Sequence, residues 1–171
     1  MLFRGLSNRL LLNNFKNCYV YLYSNENYMR QLFNTNFNHS GLNLMFMILR
    51  VAIGAFMLTH GYGKLQMATA GGEIQFMDPF GLGQAVSLYL TIFAEFFCSI
   101  LLIFGFATRL ATIPLIVTML VAIMMAHGSD PFEKKELALH YLVVYAVILV
   151  CGPGKFSIDY FISRSFSKRR R

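Results

Sequence analysis

The sequence predicts an all-α, polytopic membrane protein: a four-transmembrane-helix bundle with an N-in/C-in topology. Three observations lead there. Of 171 residues, 56% are apolar and only 13% charged, and the mean hydropathy is +0.52; a soluble domain carries about 25% charged residues. The apolar residues gather into four long blocks, each near the roughly 20 residues that cross a bilayer core of about 30 Å. Lys and Arg are divided unequally between the two ends of those blocks, which sets the orientation.

Taken in order, residues 1–28, MLFRGLSNRLLLNNFKNCYVYLYSNENY, lack the small-residue cleavage site and clean apolar core of a signal peptide. They are rich in residues that AT-rich codons encode, so Met29 is the expected initiator, the alternative being a short interfacial amphipathic segment. Residues 29–41 are expected to be a cytoplasmic segment. The four spans are expected at about Leu42–Tyr62, Gln84–Phe104, Thr108–His127 and Glu136–Cys151, within a membrane domain over 42–159. GYGK and MATAGGEIQFMDPFGLG follow the first span, GFATR the second and GSDPFEKKE the third, and GPGK stops the fourth. Pro114 lies early in the third, where neighbouring helices can satisfy the carbonyl it frees.

Residues 160–171 form a basic cytoplasmic tail. With the N-terminus inside, Arg4, Arg9, Lys16, Arg30, Arg109, Lys155, Arg164, Lys168, Arg169, Arg170 and Arg171 share the cytoplasmic side, against Lys64, Lys134 and Lys135 opposite. Beside four apolar blocks, this basicity reads as topology rather than as a nucleic-acid site.

Arg50 interrupts the first apolar block. Counted from Leu42 it lies about 12 Å deep at 1.5 Å per residue, a depth matched by Glu95 in the antiparallel second span. Each alone would be costly in lipid; together a guanidinium and a carboxylate offset much of that cost. The expectation is an Arg50–Glu95 ion pair, serving either to fix helix register or as a proton- or electron-transfer-linked site. Ser87, Thr91, Glu95 and Ser99 recur every four residues, a polar stripe on one helical face that should turn inward. Gly54, one turn from Arg50, is suited to close helix approach.

His60, His127 and His140 end or begin three different spans and fall into one extracytoplasmic layer, with Lys64, Asp78, Asp130, Glu133 and Glu136. Histidine relays protons, binds metals or hydrogen-bonds a quinone carbonyl. The three are therefore the candidate catalytic residues, with Lys64 and Tyr62 as candidate substrate contacts; the plainer reading is three histidines at helix ends meeting water. No HxxxH or HExxH spacing points to a metal. Cys18, Cys98 and Cys151 make no CxxC pair or metal-ligand spacing. The glycines follow no strand, and no P-loop, flavin, haem or iron–sulfur motif appears.

These residues also carry a resemblance. From about Met29 to Asp159 the chain resembles the bacterial DoxX family of small four-helix membrane proteins. The matching elements are Leu49–Arg50, His60–Gly61 and Lys64–Leu65, then Glu95, then Gly105, Thr108 and Arg109. Met119, Ala122 and His127 follow, and Gly152–Pro153–Gly154, Ser157 and Asp159 close the pattern. Gly63 stands where members often carry proline. The resemblance implies a multi-pass protein of the bacterial inner membrane, an oxidoreductase component associated with quinone and with redox partner proteins. The alternative is a non-enzymatic scaffold, or a small-solute or lipid carrier.

Overall fold

The computed structural model describes residues 38–169; the expectations for 1–28 and nearly all of 29–41 lie outside them. The described residues are helical, without strands, and five helices follow in order: α1 (His39–Thr69), α2 (Gln84–Phe104), α3 (Thr108–Ala126), α4 (Phe132–Cys151) and α5 (Ile158–Arg169). The first three are long and apolar enough to cross a membrane. The fourth opens on FEKKE, whose charges dilute its apolar run.

The bounds of the second helix coincide with the expected span, and the third differs at its end by one residue. The first is longer. At 31 residues, α1 reaches about 46 Å at 1.5 Å per residue, well beyond a core of about 30 Å.

The bundle is filled by Met57 of α1, Cys98 and Leu102 of α2, Ala111, Leu115 and Met119 of α3, and Tyr141, Tyr145 and Ile148 of α4. Every long helix thus contributes to one core. Large apolar side chains such as Ile48, Phe56, Phe93, Leu110 and Val150 cover the outside. Exposed apolar surface on that scale is what a lipid-facing bundle presents and what a soluble monomer avoids.

The buried residues of α1 are Arg50, Gly54, Met57 and Gly61, spaced by four, three and four residues, a seam of coiled-coil type. The glycines set the register against α2. A Cβ on Gly54 would lie 2.7 Å from Ile103 and 3.2 Å from the Ser99 carbonyl; one on Gly61 would lie 2.7 Å from the Glu95 and Phe96 backbone.

Two turns of these helices are widened. Cys98 N–H reaches back five residues to the Phe93 carbonyl, and His127 N–H does the same to Ala122. Such turns re-aim the side chains they carry. The first one carries Glu95.

Candidate functional site

Arg50 and Glu95 do not pair, and the expected ion pair is corrected. Arg50 donates both terminal nitrogens to backbone carbonyls of the segment after α4, to Pro153 and to Phe156, each at 2.7 Å. Glu95 pairs with Lys64. The reason is register. Gly61 is the α1 residue level with Glu95, whereas Arg50 is level with Gly105, where an added Cβ would sit 2.6 Å from the guanidinium. Glu95 and Gly105 are about 15 Å apart along α2 at 1.5 Å per residue. Counting depth from Leu42 failed because α1 begins before the apolar block and outlasts it.

Arg50 belongs to a latch at one end of the bundle. Gly105 holds a positive φ of 69° and presents no side chain, which leaves room for the guanidinium. Asp159 accepts hydrogen bonds from Ala107 N–H at 2.7 Å and Thr108 N–H at 2.8 Å, satisfying donors that the start of α3 leaves open. Its own N–H donates to the Gly105 carbonyl at 2.9 Å. Lys155 N–H donates to Asn43 Oδ1 at 3.0 Å, tying the same segment to α1. These groups close the bundle rather than perform chemistry.

The chemical candidate lies toward the other end. Glu95 is 4% exposed, and Lys64, one turn beyond Gly61, folds back to meet it. Tyr141 and Tyr145 are buried in the bundle core. Those rings stack at 6.0 Å, and His60 meets Tyr141 edge-on at 6.1 Å. Ser99 Oγ and the Tyr145 hydroxyl are buried without a protein hydrogen-bond partner. A buried carboxylate with an ammonium partner, together with buried hydroxyls of unspent hydrogen-bonding capacity, can hydrogen-bond a polar ligand. On the same widened turn, Phe93 and Phe97 line an open apolar groove of about 380 Å³ with Ile100 and Leu101.

The other predicted residues are distributed differently. Ser87 and Ser99 are buried and Thr91 is half-buried, but they do not form one chain of contacts. Ser87 donates to Asp78 at 2.9 Å, and Thr91 donates to the Ser87 carbonyl at 2.8 Å. The three histidines have separate partners: His60 has Tyr141, His127 Nδ1 lies 2.8 Å from Asp130, and His140 Nδ1 lies 2.7 Å from the Glu136 carbonyl. Among the described residues no His, Cys, Asp and Glu group could hold a metal. Tyr62 is 53% exposed, away from Glu95. Sequence reasoning missed Tyr141 and Tyr145; their one-turn spacing in α4 was the available signal.

Two carboxylates in the connecting segments are held below the usual range. For Asp130 the cause is first the hydrogen bond from His127 and then Lys134. For Asp78 it is first the Gly83 N–H, then the Ser87 hydroxyl and the Leu82 N–H. Because the folded value for Asp78 is depressed, its contribution is present at neutral pH and is lost as pH falls through that folded value. Asp78→Asn is expected to flatten the acid limb of a thermal-midpoint profile between neutral and strongly acidic pH. A limb identical to wild type would remove Asp78 as its source.

A family model described as DoxX matches residues 45–128. No curated protein and no solved structure matches the chain.

Proposed function

By residues 45–128 the chain belongs to the DoxX family, and on that premise we propose that this integral membrane protein is a quinone-associated redox component of the bacterial inner membrane. In this reading α4 crosses with the other three long helices and both termini are cytoplasmic. The Glu95 site then lies in the extracytoplasmic half. The observation that carries the proposal is Glu95, buried on a widened turn and paired with Lys64.

Quinone reduction takes two electrons, delivered by a redox partner protein, and two protons, one onto each ring oxygen. Lys64 and His60 would donate hydrogen bonds to one ring carbonyl, and Glu95 would pass one proton to that oxygen and regain one from water; the other ring oxygen would take its proton from water. His127 and His140 have no part in this step, because each is engaged with a neighbour on its own segment.

The test is equilibrium binding of a short-tailed quinone to the purified protein in lipid nanodiscs, followed through tyrosine emission. Lys64→Met is expected to weaken binding about tenfold or more, as the loss of one charge-assisted hydrogen bond implies. Glu95→Gln is expected to slow proton uptake coupled to reduction, while His127→Ala and His140→Ala bind as wild type. Unchanged affinity in Lys64→Met together with unchanged proton uptake in Glu95→Gln would remove the site from the proposal. The second reading, a scaffold or carrier, is favoured by the Arg50 latch, which is built for holding helices together. It gains if no quinone binds at all.

A further inference from the structure

We propose that α5 is a lipid-reading helix: its apolar face inserts into the membrane surface, and its basic residues select an anionic one. The start of α5 is fixed at the membrane boundary independently of where the rest of the helix points. Asp159, in its first turn, caps Ala107 and Thr108 at 2.7 and 2.8 Å, where the candidate span α3 begins. Arg50 holds the preceding carbonyls of Pro153 and Phe156.

From that anchor, the helix presents a face that nothing in the bundle covers. At 100° per residue, Ile158, Phe161, Ile162 and Phe166 fall within an arc of about 140°, which Ser165 and, in the last turn, the Arg169 position share. Phe161 is 66% exposed, Phe166 64%, and Ile158 and Ile162 are 40% and 38% exposed. Ser163, Arg164 and Ser167 lie on the other side, about 130°, 130° and 170° from the centre of the arc, and the Lys168 position lies about 20° outside its Phe161 edge.

Charge identifies the occupant. After Ile158 the sequence contains Arg164, Lys168, Arg169, Arg170 and Arg171 against one acid, Asp159, and that acid is spent on the α3 cap. Phenylalanines on one side of a short helix with a basic run beside them suit the interface of a bilayer rich in anionic headgroups. An acidic protein surface would draw on the same charge, and the dependence of the signal on lipid composition separates the two.

The chain has no tryptophan, so one introduced indole is an unambiguous probe. The full-length protein with Phe161→Trp is reconstituted into vesicles of phosphatidylcholine alone or mixed with phosphatidylglycerol. A Phe166→Trp protein provides a second position on the same face, and Ser163→Trp one on the opposite face. For both apolar-face positions, the expected result in anionic vesicles is blue-shifted emission, quenched by lipids brominated near the headgroup. The shift should shrink in phosphatidylcholine, at high salt, and when Arg164→Glu and Lys168→Glu are added to Phe161→Trp. The indole at 163 should stay water-like throughout. Water-like emission at both 161 and 166 in anionic vesicles would overturn the proposal. So would a shift independent of lipid charge that grows with protein-to-lipid ratio, which would identify a second copy of the chain as the occupant.

Discussion

Arg50→Ala is expected to be among the most destabilising single substitutions in the protein, by about 3–5 kcal/mol. Arg50 is 3% exposed and donates to two carbonyls at 2.7 Å. Hydrogen bonds from a charged group contribute about 1.5–3 kcal/mol each, and truncation leaves their acceptors buried and unpaired. The effect should appear as a lowered thermal midpoint by circular dichroism and as loss of the monodisperse species in detergent. Arg50→Lys should recover only part of it, because one ammonium cannot match the planar fork that reaches both carbonyls. A double-mutant cycle adds a sharper readout. Arg50→Gln with Glu95→Gln should be additive to within about 0.5 kcal/mol, since the two sites share no partner. Lys64→Met with Glu95→Gln should not be. Coupling in the first pair and additivity in the second would overturn the assignment of partners.

Gly61→Ala should cost about 1–3 kcal/mol, the range for overpacking a tight contact, and should disturb the Glu95 site as well. Its new Cβ would stand 2.7 Å from the Glu95 and Phe96 backbone, which has no rotamer with which to move aside. Either α1 and α2 separate or the widened turn shifts, and both displace Glu95 from Lys64. Gly63→Ala is the internal control. Nothing lies within 4 Å of its Cβ position, so helix propensity alone predicts a gain of up to about 1 kcal/mol. The thermal midpoints of the two proteins should move in opposite directions. Equal shifts would show that propensity, not packing, governs both positions.

Lys64 illustrates why the site was only partly legible. By charge counting it belonged to the outer rim with Lys134 and Lys135, and nothing in its neighbours in sequence contradicts that. It turns inward because Gly61, one turn earlier, brings α1 onto the backbone of α2 at Glu95, within reach of a flexible four-carbon stem. Glu95, by contrast, was conspicuous from the start, because an isolated acid in an apolar run must find a partner. Two of the histidines were misleading for the opposite reason: His127 and His140 are engaged on their own segments, whereas His60 meets Tyr141 of α4. Ending several spans at one level puts side chains in one layer without bringing them into contact with one another.

The sequence by itself determined the four long helices, their order and their apolar character, but not α5, which lies where it showed only a basic tail. Hydropathy and span length are properties of contiguous residues, and the backbone must satisfy its own hydrogen bonds in lipid. It also marked Arg50, Glu95 and Gly54 as the residues with something to explain. The tertiary structure alone decided who meets whom. In helices apolar on every side, periodicity does not say which face is inward, and depth counted from hydropathy carries an error of several residues. The contacts at Gly54 and Gly61 resolve that error. They slide α1 along α2 until Arg50 reaches the carbonyls beyond α4 and Lys64, not Arg50, stands opposite the buried carboxylate.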